Sequence, residues 1–150
     1  MRKFAFLLSI AIILVSCQPT KVIEKKKTDT TIKFIQGETL EEVLVRSKKE
    51  GKPVFIDFYI DRCAPCKFMD ETAFTHPNVF ELFNDKFINF KVDAIDFDYV
   101  DLAQKYNVQA YPTLVFLDSR GEILQEHGGG ASAVKLIELA EKVIENGKVM

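Results

Sequence analysis

The alternation of apolar and polar positions divides most of the chain into short elements. "GETLEEVLVRSKKEGKP" (37–53) places Leu40, Val43 and Leu44 on one helical face. Thr39 with Glu42 three residues on is a capping box, and Gly51 followed by Pro53 ends the helix. "PVFIDFYI" (53–60) is a dense run of β-branched and aromatic residues, the pattern of a strand buried on both faces, and Asp57 interrupts it. "APCKFMDETAF" (64–74) continues as a helix that His76-Pro77 breaks, and "NVFELFND" (78–85) gives another short one. "KFINFKVDA" (86–94) is a second strand. "DYVDLAQKYNV" (98–108) is helical, with Val100, Leu102, Ala103 and Tyr106 available to face inward. "PTLVFLD" (112–118) and "ILQEH" (123–127) flank the turn "SRGE" and form a hairpin. After Gly128-Gly129-Gly130, a loop, "SAVKLIELAEKVIENG" (132–147) is an amphipathic helix that presents Val134, Ile137, Leu139, Ala140, Val143 and Ile144 on one side and ends at Gly147. A leading strand can also be drawn near "TIKFI" (31–35). The first long strands are joined through helices and should run parallel, the last pair antiparallel. The fold class is therefore α/β: a mixed central β-sheet flanked by helices on both faces.

The first 33 residues break this pattern. "MRKFAFLLSIAIILVSC" (1–17) has a basic start and an apolar run from Phe4 to Val15. That run is shorter than the roughly twenty residues a spanning helix needs, and it fits the middle of a secretory signal. Leu14-Val15-Ser16-Cys17 resembles the lipobox of bacterial lipoproteins. The resemblance implies a signal peptide over 1–16, a lipidated Cys17, and anchoring in a bacterial membrane with the domain facing the periplasm or the cell exterior. Gln18 after Cys17 leans toward an outer membrane. An ordinary signal peptide with a chance cysteine is the alternative. "QPTKVIEKKKTDTTIK" (18–33) is polar and without sustained periodicity, so 17–33 is expected to be the lipidated cysteine and a flexible tether, with the domain proper at 34–150. Its lysines either approach an anionic membrane surface or merely keep the linker solvated.

Composition narrows the function. The chain of 150 residues is 47% apolar with 13 Phe, enough to bury a core without disulfides. Three cysteines are too few for a disulfide scaffold. Residues 34–150 carry 13 basic and 20 acidic side chains, a poor match to nucleic acid, whose phosphates require a basic face.

Cys63 and Cys66, in "IDRCAPCKF", suit a redox couple, half of a metal site or a small structural disulfide. A zinc site needs four ligands, and only His76 and His127 are added to the pair. His76, beside a proline at a helix start, is expected to cap or pack. At a helix N-terminus Cys63 meets unpaired N–H groups and the positive end of the helix dipole, which favour its thiolate. Cys66 lies one turn later, and Pro65 suits the first helical turn.

Three separated features, Asp57 in the strand before the pair, Cys63-Ala64-Pro65-Cys66-Lys67 opening a helix, and "QAYPT" before the next strand, resemble the thioredoxin family over residues 34–146. The resemblance implies a thioredoxin fold and a thiol–disulfide oxidoreductase with no cofactor. Its redox-active disulfide would join Cys63, the exposed nucleophile, to Cys66, the buried resolving thiol. It implies that Asp57 assists deprotonation of Cys66, that Lys91 accompanies that acid, and that Tyr111-Pro112 is a cis-proline loop whose backbone, with Ala64 and Pro65, meets the substrate chain. An Asp57 turned to solvent and a Lys91 on the surface are the plainer readings. The usual Trp before the first cysteine is Arg62 here, and the chain has no Trp. Arg62 either stabilises the Cys63 thiolate, selects a partner, or is simply solvated. The stretch "CKFMDETAFTHPNVFELF" resembles a membrane-linked branch that includes the C-terminal domain of transmembrane thiol-disulfide interchange proteins. The expected activity is reduction of protein or thiol disulfides outside the cytoplasm by a monomer re-reduced by a membrane electron donor of that type. An oxidase or isomerase of the same fold, or a non-catalytic binding module, are the alternatives.

Overall fold

The computed structural model describes residues 29–147, so the signal segment, Cys17 and the tether up to residue 28 lie outside the described residues. The elements run α1 (Leu40–Glu50), β1 (Val54–Tyr59), α2 (Ala64–Glu71), α3 (Pro77–Lys86), β2 (Ile88–Asp93), α4 (Val100–Lys105), β3 (Thr113–Leu117), β4 (Ile123–Gly128) and α5 (Ala133–Gly147). The strands form one sheet in the order β2-β1-β3-β4. Among the described residues, no helix is long and apolar enough to cross a membrane.

β1 pairs with β2 in parallel and with β3 antiparallel, and β3 pairs with β4 antiparallel. The direction of β3 corrects the expectation that the helix-linked strands all run parallel. A six-residue helix such as α4 extends about 9 Å, whereas returning along a six-residue strand requires about 20 Å. α4 alone therefore does not carry the chain back. The connection starts at Ala94, hydrogen-bonded to Tyr59, and ends at Pro112, just before Thr113 pairs with Phe58. It returns to the end of the sheet that it left, and β3 runs back. The leading strand reduces to one parallel bridge, Ile35 to Phe90.

The domain also begins earlier than Phe34. Ile32 is 3% exposed, its N–H donates to the Phe74 carbonyl, and the Thr31 hydroxyl donates to the same oxygen. The last residues of the expected tether are thus packed onto the domain.

Side-chain parity divides the core in two. Val54, Ile56 and Phe58 of β1 and Ile88, Phe90 and Val92 of β2 meet α1 and α4 on one face. Phe55 and Phe116 point the other way, toward α2, α3 and α5. Phe55 centres that second layer, with its ring 4.7 Å from Phe83 and 4.9 Å from Phe116. Asp57 shares Phe55's parity and Lys91 that of Asn89, and the two are register partners. Both are therefore directed to the face that α2 covers.

Two helix details differ from the pattern. In α5, Leu136 is buried and Val134 is 78% exposed. α2 stops at Glu71, and Thr72–Thr75 continue only as turns.

Candidate functional site

The cysteine pair sits where β1 ends and α2 begins. Cys63 is the N-cap of α2, Ala64 and Pro65 are its first residues, and Cys63 and Cys66 are joined in a disulfide with their Cα atoms 5.3 Å apart. The Cys66 N–H donates to Cys63 Sγ at 3.2 Å, so the sulfur occupies the position a capping oxygen takes at other helix starts. Cys63 is half-buried and Cys66 only 4% exposed. Proline at the first turn loses no helical hydrogen bond, since its N–H would be unpaired there.

Two loops close on this helix start. The Tyr111–Pro112 peptide bond is cis, and the Thr113 hydroxyl donates to the Ala110 carbonyl at 2.7 Å to close the loop. Thr113 pairs with Phe58, which sets Pro112 beside the end of β1. The Pro112 carbonyl accepts from the Gly129 N–H at 2.7 Å, and a Cβ on Gly130 would lie 3.7 Å from the Pro65 Cβ. The glycine run thus bridges the Pro112 loop to the cysteine loop. The sequence marked it only as a loop. Gly129 has φ +91°, open to glycine and costly for other residues.

Beneath α2 lies a charged cluster. Asp57 is 1% exposed, and the Lys91 ammonium is 3.4 Å from its Oδ2. Lys91 also pairs with Asp70, on the same helix as Cys66 and one turn beyond it. The ammonium lies over the rings of Tyr59, Phe34 and Phe74 at 5.0, 5.3 and 5.6 Å, an aromatic shell that favours a cation. Asp57 Oδ1 has no hydrogen-bond partner among the described residues. Burial pushes the Asp57 carboxyl up from 3.8 to about 6, the Lys91 charge opposes the rise, and the nearby Asp70 charge adds to it. Asp57 and Lys91 are therefore neither solvent-turned nor on the surface.

Asp70 escaped the sequence reading. An acid on an amphipathic helix resembles a solvated face, and only the β1–β2 register brings Lys91 under it. The Asp57–Lys91 pairing on the adjacent strands β1 and β2 was the signal that a second acid could complete. Arg62 adopts φ +64°, makes the turn into Cys63 and is exposed. His76 corrects an expectation: it occupies the N-cap of α3, but its side chain makes no capping bond and is exposed. Cys17 lies outside the described residues.

A disulfide set on the first turn of a helix, beside a cis-proline loop and above a buried acid, defines the thioredoxin-fold class of thiol–disulfide oxidoreductases. A family model for the thioredoxin-like domain matches residues 40–144, and the chain belongs to that family. The thiol:disulfide interchange protein DsbD of Escherichia coli (strain K12) is 36% identical over 105 residues, which are 67% of this chain and 18% of that protein. The chain thus spans less than a fifth of that relative. Among solved structures, a candidate disulphide-isomerase from Bacteroides thetaiotaomicron is 34% identical, with a TM-score of 0.66 over 81% of this chain and 96% of its own. The C-terminal domain of Neisseria meningitidis DsbD, in the oxidised form, is 27% identical, with a TM-score of 0.58 over 67% of this chain and 89% of its own.

Proposed function

We propose that this thiol–disulfide oxidoreductase works as a reductase of protein disulfides outside the cytoplasm, held to a bacterial membrane through lipid on Cys17. The observation that carries the redox reading is the Cys63–Cys66 disulfide on the first turn of α2 above the buried Asp57; an acid placed to take the Cys66 proton supports its use as a reductant.

In the reduced chain the Cys63 thiolate attacks one sulfur of the substrate disulfide. A bond forms between Cys63 and that sulfur, the substrate S–S bond breaks, and the other substrate sulfur leaves as a thiolate that takes a proton from solvent. Cys66 then loses its proton to the Asp57 carboxylate and attacks Cys63 Sγ. The mixed disulfide breaks, the second substrate thiolate departs, and the Cys63–Cys66 disulfide remains. Two electrons have passed to the substrate. The α2 N–H groups stabilise the Cys63 thiolate in the first step. In this reading Lys91 tethers Asp57 to α2 through Asp70. The cis-proline loop at Tyr111-Pro112, with Ala64 and Pro65, receives the substrate backbone as an added strand. A dithiol donor of the thiol:disulfide interchange type returns the two electrons; the likeness to DsbD supports that choice.

The likeness to a candidate disulphide-isomerase supports isomerisation as the second reading. The reduction potential of the Cys63–Cys66 couple separates them. A value near about −270 mV, as in thioredoxin, with turnover of insulin disulfides, is expected of a reductase. A value of about −180 mV, as in protein disulfide isomerase, favours isomerisation, and one of about −120 mV, as in strong protein oxidants, overturns the reductase altogether. For the anchor, acyl labelling and detergent partitioning should vanish in Cys17→Ser, and retained labelling would remove it.

A further inference from the structure

The end of the sheet that carries the disulfide also displays two large apolar side chains that nothing among the described residues covers. Phe97 is 92% exposed and Ile95 is 63% exposed, both between β2 and α4. Each leaves unused the stabilisation that burying such a side chain provides. The segment that presents them is well tied. The Ala94 N–H donates to the Tyr59 carbonyl at 2.8 Å, and the Tyr99 and Val100 N–H groups donate to the Asp96 carbonyl. The Asp93 and Asp96 carboxylates accept from the N–H groups of Ile95 and Asp98. Local hydrogen bonds therefore hold the backbone that places the two side chains in water.

Position and charge say what covers them. Asp93 is the register partner of Tyr59, so this segment leaves the sheet about 5 Å from the strand that leads into Cys63. Ile95 and Phe97 thus stand at the end of the sheet that a polypeptide with its disulfide at Cys63 approaches. On the other side of the segment, the start of α1 and α4 enclose an open groove of about 440 Å³. Its walls carry Glu41, Asp98 and Asp101, which have no ion pair among the described residues; Glu38 there is already paired with Arg46, and Lys105 is the single cation on the wall, so acids outnumber it. No group of three acids, histidines or cysteines among the described residues is arranged to hold a metal ion. The carboxylates line one groove without gathering round a single point, which suits cationic side chains on a polypeptide. An anionic membrane or a nucleic acid would be repelled.

We propose that Ile95, Phe97 and the adjoining acidic groove form a docking surface for the polypeptide partner of disulfide exchange, selecting one with an apolar side chain beside lysines or arginines. The inference rests on the thiol–disulfide reading and adds the partner's chemistry. The cysteines and the cis-proline loop act on the reacting bond; this surface acts on which chain brings it.

The test uses the full chain and three probes: a disulfide-closed peptide flanked by Leu and Lys, one of equal length flanked by Ser and Glu, and hydroxyethyl disulfide, too small to reach Phe97. The wild type should reduce the Leu/Lys peptide about tenfold more efficiently in kcat/KM than the Ser/Glu peptide. The pair Ile95→Ser and Phe97→Ser should abolish that preference and leave hydroxyethyl disulfide unchanged. Asp98→Asn with Asp101→Asn should flatten the salt dependence for the Leu/Lys peptide. Equal rates on both peptides, or a loss shared by the small disulfide, overturn the docking surface. No reduction of hydroxyethyl disulfide at all overturns the redox reading instead. Docking is then read from the anisotropy of the labelled Leu/Lys peptide on Cys63→Ser: binding lost with Ile95→Ser and Phe97→Ser supports the surface, and no binding overturns it.

Discussion

At the scale of single residues, Asp57 governs how the protein responds to pH. Its carboxyl is raised from 3.8 to about 6 in the folded chain, chiefly because burial penalises the charged form. Between those values the native state binds the proton that the unfolded chain has released, so stability falls as pH rises through the window. The contribution is fully present below about pH 4 and is lost above about pH 6. Each tenfold change in proton affinity is worth about 1.4 kcal/mol, so the total is on the order of 3 kcal/mol. Asp57→Asn, which cannot charge, should therefore be flatter between pH 4 and 7, and its advantage over wild type should grow to pH 6 and then level off. Urea unfolding across that range checks this; parallel curves for the two proteins would remove the buried charge from the account. The same variant should slow release of a mixed disulfide formed with Cys63, with the initial attack retained. Lys91 is the counterweight. Without it the carboxyl would titrate still higher, since Lys91 is the group that lowers it.

At the scale of elements, what could be read from the chain was what neighbours in sequence decide. The capping box at Thr39 and Glu42 is local, and both of its bonds are present. The burial of β1 follows from an unbroken apolar run. The direction of β3 was not legible, because it depends on whether the β2–β3 connection spans the sheet. The phase of α5 slipped for a related reason: its apolar residues are dense enough that a stripe through Val134 looked as good as one through Leu136. Only the packing of the helix against α3 and β4 chooses between them. Asp57 and the cysteines were legible as exceptions, an acid in an apolar run and a thiol pair at a helix start. Asp70 was not, because its partner comes from another strand. The β3–β4 turn shows the same contrast. "SRGE" announces a turn, but not that it is clamped from α4 by the Tyr106 hydroxyl, which donates to the Gly121 carbonyl at 3.0 Å. Gly121 has φ +85°, and a Cβ there would meet Leu44 Cδ1 at 3.2 Å and the Tyr106 hydroxyl at 3.4 Å. Gly121→Ala should lower stability by about 1–2 kcal/mol through the left-handed backbone and the crowding together. The denaturation midpoint should fall with an unchanged slope, and an unchanged midpoint would show that the hairpin accommodates the methyl.

At the scale of the molecule, the segment before α1 ties the lower layers to the redox helix. Residues 31–35 cross the edge of β2 and reach the link between α2 and α3. The Ile35 N–H donates to the Asn89 carbonyl and the Ile35 carbonyl accepts from the Lys91 N–H, so this segment braces the strand residue that contacts Asp57. Phe34 stacks edge-on against Phe74 at 5.2 Å and lies under the Lys91 ammonium. The Phe74 carbonyl, just past the end of α2, takes hydrogen bonds from both Thr31 and Ile32. A free tether up to residue 33 would contribute nothing to stability, whereas a packed one must. Ile32→Ala removes a side chain 3% exposed from the layer that holds Met69 and Phe74, and should cost about 2–4 kcal/mol. Because the contact is with the far end of α2, the loss should be uneven. Amide exchange should accelerate most around Thr72–His76, while the opposite face, at Ala103 and Tyr106, follows only the global change. A stability change below about 0.5 kcal/mol, the range of ordinary surface substitutions, would return this segment to the tether. A uniform rise in exchange would mean that Ile32 supports the core without any particular hold on the redox helix.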